Sequence, residues 1–337
     1  MPDATTTALS TSLAGTALRN PVILAAGCAG TLEELGEVLD LSRVGALVTK
    51  SITPLPREGN APWRVAPVSA GMLNAVGLAN PGIEAFMRDY APRIPAMPLP
   101  VFVSVAGFGV DDYVQVCAAI DAMNREREVI PAVELNVSCP NVKAGCEFAY
   151  DPGLLSDLIR EVRRVLTSTR LFVKLSPIPT GRISMTDIAK AACEPGNSSP
   201  AGPNQRPGAE ALCVANTTPA MGINVQTRRP VLGRITGGFS GPGVHPMAVK
   251  LVYDVARNYA VPAGVPIVGI GGVLQWEDAA EFILAGATAV EMGTALYIDP
   301  KSPRKVVDGL ERWVRDQGAP NIRALVGMVD TGESQPR

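Results

Sequence analysis

The sequence has few of the residues that usually mark metal centres and histidine-based catalysis. Its 337 residues include a single histidine, His245, which precedes a proline at an apparent helix start and is best interpreted as a cap or surface residue. No two of its six cysteines form a C-x-x-C pair, which disfavours a zinc or iron–sulfur site made by this chain alone. We therefore predict no metal site, and we expect any general base to be a cysteine or a carboxylate.

The sequence also lacks clustered charge and long apolar runs. Lys and Arg total 30 against 32 Asp and Glu, without a basic cluster, which disfavours nucleic-acid binding. No uncharged apolar run approaches the roughly 20 residues that a membrane span needs. The first twenty residues lack the basic and apolar regions of a signal peptide. Scattered cysteines in a chain of this size are typical of reduced thiols, so we predict a soluble, cytoplasmic protein.

Short apolar segments alternate with amphipathic segments along most of the chain. The eight candidate strands cover residues 22–26, 46–51, 101–105, 132–138, 171–176, 211–217, 266–271 and 289–294. The candidate helices cover residues 32–41, 83–94, 112–123, 152–166, 185–193, 246–258, 276–284 and 303–317. Eight strand–helix repeats predict a single-domain (β/α)8 TIM barrel, with a doubly wound open sheet as the alternative.

The same pattern predicts how the chain is divided. We expect a flexible, Thr/Ser-rich lead-in at residues 1–20, a barrel at 21–320 and a C-terminal tail at 321–337. A long loop insertion at 52–78 follows strand 2, on the face where barrels of this kind build their active sites. A segment at 194–208, with four Pro and three Gly, is typical of a flexible surface insertion before strand 6.

Polar side chains end five consecutive strands, where the active sites of such barrels lie. They are Lys50, Ser51, Ser104, Asn136, Lys174, Asn216 and Thr217. Such a donor-rich floor suits an anionic, oxygen-rich ligand, although either lysine could instead extend between strand and helix. Cys139 follows the polar face of strand 4 and is a candidate base or nucleophile, or else a small buried apolar residue.

Strands 7 and 8 end in glycine instead. Glycine-rich segments at 237–241, 269–272 and 293–294 allow a close backbone approach, which in many barrels holds a phosphate through N–H groups. Ordinary strand–helix turns are the alternative. The placement of these glycine-rich segments after the last strands favours a cofactor that carries a phosphate.

Taken together, several segments strongly resemble the dihydroorotate dehydrogenase family. The motifs are NVSCPN at 136–141, GMLNAVGL at 71–78, VKLSP at 173–177, ITGGFSG at 235–241, Gly271-Gly272 and Gly293-Thr294. The resemblance covers residues 20–317, and the cysteine of the first motif is typical of the soluble class 1 enzymes. Residues 74, 142–143 and 238–242 are most similar to the NAD-linked class 1B subtype. This implies a catalytic FMN subunit, as a homodimer, in a heterotetramer with a subunit carrying FAD and a [2Fe–2S] cluster.

The resemblance also implies a reaction and a set of site residues. Dihydroorotate would be oxidised to orotate in de novo pyrimidine biosynthesis, with Cys139 removing the C5 proton while hydride passes from C6 to N5 of FMN. Lys50 and Lys174 complete the implied catalytic group, and Lys174 would stabilise the reduced flavin at its N1/O2 edge. The implied FMN contacts are Ala26, Gly27, Lys50, Ser51, Ser104, Asn136, Lys174, Ala215, Gly241, Gly271, Gly272, Gly293 and Thr294. The implied substrate contacts are Lys50, Asn74, Ala75, Val76, Gly77, Leu78, Asn136, Asn141, Asn216 and Thr217.

Some positions depart from the family pattern, and other functions stay open. Ala26, Ser104 and Ala215 replace a Ser, an Asn and a larger apolar residue, and these departures concern FMN contacts. The first alternative is the same reaction in a homodimer that uses fumarate as acceptor. The others are a flavin barrel that reduces uridine in tRNA, which would need a basic face, and a non-catalytic barrel, which would not need buried polar groups.

Overall fold

The chain folds around a closed parallel barrel. A computed structural model describes residues 7–138, 148–178, 181–196 and 206–332. Within these ranges eight parallel strands pair in sequential order, and the eighth pairs with the first. Barrel strands 1 to 8 are Val22–Leu24, Ala46–Val48, Val101–Val105, Ala132–Asn136, Arg170–Leu175, Ala211–Val214, Ile267–Ile270 and Ala289–Met292. The predicted TIM barrel is confirmed.

Helices connect the strands around the outside of the barrel. The described α-helices are Gly82–Ala85, Val110–Arg127, Pro152–Val165, Met185–Cys193, His245–Val255, Trp276–Ala285, Ala295–Ile298 and Ser302–Asp316. Short 3-10 helices occupy Glu34–Glu37, Leu41–Arg43, Ala91–Ala96, Phe148–Tyr150, Pro242–Val244 and Ile322–Leu325, and π-helical turns occupy Phe86–Tyr90 and Ala256–Ala260. Among the described residues, no helix combines the length and the apolar character that a membrane crossing requires.

The helix predicted at residues 32–41 is wrong, because two short 3-10 helices occupy this segment. The Glu34 carboxylate accepts the N–H groups of Thr31 and Leu32, both at 2.8 Å, and so stabilises a tight turn. Gly36 lies at the centre of the segment, where glycine disfavours a continuous helix by about 1 kcal/mol relative to alanine. The connection between barrel strands 1 and 2 therefore contains 3-10 turns in place of an α-helix.

The insertion after barrel strand 2 forms part of a second sheet beside the mouth of the barrel. Strands Val65–Val68 and Gly71–Asn74 pair antiparallel, and a further strand, Gly237–Ser240, joins Gly71–Asn74 to Thr218–Ala220. A two-stranded ribbon, Ile223–Asn224 with Arg229–Pro230, extends from the same region. We call these segments the mouth sheet and the mouth ribbon. They bring the long insertion after strand 2 into register with the segment that follows strand 6.

The segment predicted as a flexible lead-in contains a β-hairpin, so that prediction is wrong for residues 7–20. Thr11–Leu13 pairs with Thr16–Leu18, and the side chains of Leu13 and Leu18 are buried. They belong to the same apolar cluster as Phe102 and other inward-facing barrel residues. The hairpin therefore closes the barrel at the end opposite the strand termini that carry polar groups.

Two segments that were predicted to be peripheral, the C-terminal tail and the insertion at 194–208, are attached to the barrel where the structure describes them. In the predicted tail, Ile322 is buried and the Gly327 N–H donates to the Ile283 carbonyl at 2.9 Å. The insertion predicted at 194–208 lies mostly outside the described residues, but Arg206 donates to the carbonyls of Ala263 and Gly264 at 2.9 and 2.7 Å. Where it is described, this insertion is anchored on the face opposite the mouth.

The buried hairpin leads to a stability prediction. We expect Leu13→Ala to lower the free energy of unfolding by about 2–5 kcal/mol, since it leaves a cavity in the barrel interior. Ser12→Ala, on the exposed side of the same strand, is the matched control and should change stability by less than about 0.5 kcal/mol. Urea denaturation followed by circular dichroism measures both, and equal stabilities would contradict the buried role of the hairpin.

Candidate active site

A cavity of about 530 Å³ lies at the C-terminal ends of the barrel strands. Most of the predicted site residues line it, namely Ala26, Gly27, Lys50, Ser51, Asn74, Ala75, Val76, Gly77, Leu78, Asn136, Lys174, Ala215, Asn216, Thr217, Gly241, Gly271, Gly272, Gly293 and Thr294. Ser104 lies behind this lining, where its hydroxyl hydrogen-bonds that of Ser51 at 2.9 Å. Cys139 and Asn141 lie outside the described residues. The structure therefore brings the predicted residues together, while their individual roles stay predictions.

A hydrogen-bonded group of polar side chains joins the ends of barrel strands 4, 5 and 6. The Asn216 amide donates to Asn136 Oδ1 at 3.0 Å and to Ser138 Oγ at 2.9 Å. The Ser176 hydroxyl donates to Ser138 Oγ at 2.7 Å. Because a buried polar network is stable only when its members are paired, these bonds hold three strand ends in one arrangement. Ser138, at the centre, immediately precedes Cys139.

A buried ammonium lies on the floor of the cavity between two carboxylates. Lys174 Nζ is 2.8 Å from Glu291 Oε2 and 3.6 Å from Glu134 Oε1, and at most 8% of any of these side chains is exposed. Burial alone would lower the pKa of Lys174, but the two carboxylates outweigh it and raise that pKa. Burial, followed by the nearby Glu134 carboxylate, raises the pKa of Glu291 to about 8, against the opposing effect of Lys174.

The same cluster contains three groups that can ligate metals, since the potential ligand atoms of Glu134, Cys213 and Glu291 lie within 4.8 Å of one another. The Lys174 ammonium already supplies a positive charge beside both carboxylates. Burial raises the pKa of the Cys213 thiol well above its usual range, which disfavours the thiolate that a metal would need. The cluster is therefore an internal ion-pair network.

Sequence reasoning identified Lys174 but missed Glu291. The signal was a charged residue within the apolar strand Ala289–Met292. Alternation along that strand places Glu291 on the same face as Ala289, which belongs to the barrel interior.

Lys50 forms a second cationic position on the cavity wall. Burial is the main cause of a lowered pKa for this ammonium, and Arg64 acts in the same direction, while Cys28 opposes them. A Cβ placed on Gly27 would lie 3.3 Å from Lys50 Nζ, so the lysine approaches the backbone after strand 1 closely. A partly desolvated ammonium favours an anionic ligand, because the ligand restores its lost charge stabilisation.

The wall formed by residues 74–78 is held by the mouth sheet and by a residue that the sequence analysis missed. Asn74 Nδ2 donates to the Gly238 carbonyl at 3.3 Å. Asn60 donates through its amide side chain to the Ala75 carbonyl at 2.8 Å, and through its backbone to Val76. Gly77 has a φ of 79°, and a Cβ there would lie 2.6 Å from the Asn60 nitrogen, so this turn requires glycine. The cavity lining missed by sequence reasoning also includes Arg57, Phe108, Tyr150 and Arg234.

The glycine-rich segments meet at one end of the cavity. A Cβ on Gly272, whose φ is 71°, would lie 2.7 Å from the Gly241 carbonyl oxygen. The Thr294 hydroxyl donates to Ser240 Oγ at 2.8 Å and so joins the strand 8 terminus to the mouth sheet. His245 is buried, and its Nδ1 lies 2.8 Å from the Gly271 carbonyl oxygen, so it supports this loop from behind. The segments form a narrow, backbone-lined cradle of the kind that accepts a phosphate.

Comparison with known proteins places the chain in a family. The family model described as dihydroorotate dehydrogenase matches residues 8–314. The chain belongs to the dihydroorotate dehydrogenase family. It is therefore an oxidoreductase of the dihydroorotate dehydrogenase family, for which a flavin cofactor is the norm.

Curated relatives resemble the chain over nearly its whole length. The protein named dihydroorotate dehydrogenase B (NAD(+)), catalytic subunit, from Trichlorobacter lovleyi is 39% identical over 324 residues, covering 96% of this chain and 99% of the relative. A protein of the same name from Desulforudis audaxviator is 42% identical over 319 residues, with 94% and 95% covered. One from Aquifex aeolicus, provisionally named dihydroorotate dehydrogenase A (fumarate), is 38% identical over 322 residues, with 95% and 98% covered. The predicted resemblance to the NAD-linked subtype of dihydroorotate dehydrogenase is confirmed by the first two.

The described residues fit the flavin of the dihydroorotate dehydrogenase family. The glycine cradle leaves no room for a Cβ at Gly272, which matches a backbone that approaches a phosphate. Lys174, on the cavity floor, provides a fixed positive charge that suits the electron-rich edge of a reduced flavin ring. Position 104 departs from the family pattern, and the Ser104 hydroxyl there hydrogen-bonds the Ser51 hydroxyl.

The cradle leads to a prediction about flavin retention. We expect Gly272→Ala to purify with less than a tenth of the flavin of the wild-type protein, because the added Cβ would push the loops apart. Gly318→Ala is the matched control, since Gly318 has a similar φ of 63° but no atom within 4 Å of an added Cβ. Flavin content per chain is measured by absorbance after denaturation. Full flavin content in Gly272→Ala would contradict the assignment of the cradle.

Proposed function

We propose that this chain oxidises dihydroorotate to orotate in de novo pyrimidine biosynthesis, with FMN as its cofactor. The observation that carries the proposal is the convergence of Asn74, Asn136 and Asn216 with Lys50 and Lys174 on one cavity. Dihydroorotate has a carboxylate, two ring carbonyls and two ring N–H groups. Amides and ammonium groups complement these groups in charge and in hydrogen bonding.

The proposed chemistry divides a proton and a hydride between two acceptors. When bound, FMN supplies the hydride acceptor, its N5, for the hydrogen at substrate C6. Cys139 removes the proton from C5, so that the electron pair of that C–H bond forms the C5=C6 double bond of orotate. The hydrogen bonds from Asn216 and Ser176 to Ser138 support this assignment, because they fix the strand end from which Cys139 follows.

The two lysines have different proposed roles. Lys174 holds a positive charge at the cavity floor, which stabilises negative charge that develops there during reduction. Lys50, whose pKa is lowered mainly by burial, neutralises anionic groups of the substrate and cofactor at the cavity wall. Their separate anchoring supports this division, since Lys174 is paired with Glu291 and Lys50 lies against Gly27.

The half-reaction is tested by mixing the purified yellow protein with dihydroorotate without oxygen. We expect rapid bleaching of the oxidised flavin absorbance in the wild-type protein, and a rate at least 100-fold lower in Cys139→Ala, because general-base catalysis contributes about 10²–10⁴-fold. Cys117→Ala is the matched control, since Cys117 is buried outside the cavity. A flavin-loaded wild-type protein that dihydroorotate does not bleach would overturn the proposed substrate.

For the second half-reaction we propose NAD as the final acceptor, reached through a partner subunit that carries FAD and a [2Fe–2S] cluster. We further propose a cytoplasmic heterotetramer built on a homodimer. The names of the two catalytic-subunit relatives support a partner. So do exposed apolar side chains at the mouth, where Trp63 is 75% and Val225 78% exposed, since such groups commonly mark protein contacts. Direct use of fumarate is the second candidate, favoured by the Aquifex relative.

The acceptor is tested on the chain after its flavin has been reduced by dihydroorotate. We expect that neither NAD nor fumarate reoxidises the isolated chain at a rate that supports turnover. Addition of the partner flavoprotein should restore NAD reduction. Exposed apolar positions give a matched test, because Trp63→Ser should weaken this restoration while leaving the bleaching by dihydroorotate unchanged. Rapid reoxidation of the isolated chain by fumarate would favour the second candidate instead.

A further inference from the structure

The carboxylate pair beneath the cavity has no role in the reaction as proposed above. We propose that Glu291 is a positioning residue for Lys174, and that Glu291 carries a proton directed at Glu134, which it holds more tightly when the flavin is reduced. The inference rests on the flavin of the proposed function but does not depend on the identity of the substrate.

Glu291 determines where the Lys174 ammonium lies. The Lys174–Glu291 contact of 2.8 Å is a hydrogen bond, whereas Glu134 lies 3.6 Å from Lys174 Nζ. The three side chains come from barrel strands 4, 5 and 8, and they are packed with the Cys213 thiol of strand 6. Because Lys174 and Glu291 both line the cavity, the carboxylate pair is close enough to respond to a change in ligand charge.

The charge of the cluster favours one shared proton. With both carboxylates ionised, the two glutamates and the lysine would leave one uncompensated negative charge inside the barrel. Glu134 Oε1 is buried and has no hydrogen-bond donor among the described residues. A proton on Glu291 would neutralise the cluster and supply that donor. The raised pKa of Glu291, about 8, agrees with this state at neutral pH.

Reduction of the flavin would strengthen the hold on this proton. Negative charge added at the cavity floor makes ionisation of Glu291 less favourable, so the pKa of Glu291 rises further in the reduced enzyme. Between the two pKa values, reduction is accompanied by uptake of one additional proton. The other titratable groups that act on the pair are Lys174, Cys213 and Cys28. Of these, Lys174 stays charged and Cys213 stays neutral, because their pKa values are raised.

The test is the flavin midpoint potential of the holoenzyme from pH 6 to pH 10, measured by titration with dithionite and a mediator dye. In the wild-type enzyme we expect the slope of the midpoint potential against pH to steepen by about 30 mV per pH unit above about pH 8. Uptake of one proton changes the equilibrium constant of reduction tenfold per pH unit, and for a two-electron couple a tenfold change corresponds to about 30 mV. Glu291→Gln should remove this steepening while keeping a hydrogen-bond acceptor for Lys174. Its potential should equal the wild-type value at pH 6 and exceed it at pH 10.

Two further variants separate this effect from a general loss of structure. Glu134→Gln removes the other half of the pair and should abolish the same steepening. Glu311→Gln makes the same substitution on an exposed helix position and should keep the wild-type profile. A wild-type slope that does not steepen would overturn the shared proton, and this measurement needs no variant to fold. Steepening that persists in Glu291→Gln would overturn the role of that residue. Since dithionite is the reductant, neither result depends on whether dihydroorotate is the substrate.

Discussion

The arrangement of the cavity depends on the ion pairing of the buried Lys174 ammonium with two carboxylates. An ammonium buried without a partner would cost several kcal/mol of folding free energy, so its position requires nearby carboxylates. Glu134 comes from the neighbouring strand, but Glu291 comes from strand 8, three strands away from strand 5 around the barrel. Only a closed barrel brings both carboxylates to the same lysine. Barrel closure and the charge balance at the cavity floor are therefore linked.

The barrel interior is divided into an apolar and a polar layer along its axis. Phe102 and Phe172 pack edge to face with ring centroids 5.0 Å apart, in the same cluster as Leu13 and Leu18 of the hairpin. The polar layer with Glu134 and Lys174 lies toward the C-terminal ends of the strands. The apolar layer shields this charged group from water on one side, which strengthens its electrostatic interactions. A cofactor above it would experience those interactions with little screening.

Much of this architecture could be predicted from local sequence patterns. The eight strands were recognised because each is a short apolar run followed by an amphipathic segment, and the strand ends indicated Lys50, Asn136, Lys174 and Asn216. The mouth sheet was missed because Gly71–Asn74 pairs with Gly237–Ser240, more than 150 residues away, and no local periodicity reports such pairing. The hairpin at Thr11–Leu18 was missed because two strands of three residues are too short to establish a period.

The side chain of Glu291 illustrates a different limit. A glutamate in an apolar strand signals a buried charge, but the sequence does not identify its partner. That partner, Lys174, lies 117 residues earlier, and only the closed barrel brings the two together. Glycines were easier to interpret, since the positive φ of Gly77, Gly241 and Gly272 reflects local backbone requirements that the motif spacing already indicated.

The hairpin that fills the N-terminal end of the barrel also limits how small molecules can reach the cavity. Leu13 and Leu18 fill that end, so within the described residues the cavity faces the side where the mouth sheet and mouth ribbon lie. A reductant and a diffusible oxidant that both enter from this side would have to bind in turn, because each would have to leave before the other could bind. An oxidant that accepts electrons from outside the cavity would not compete with the reductant for this space.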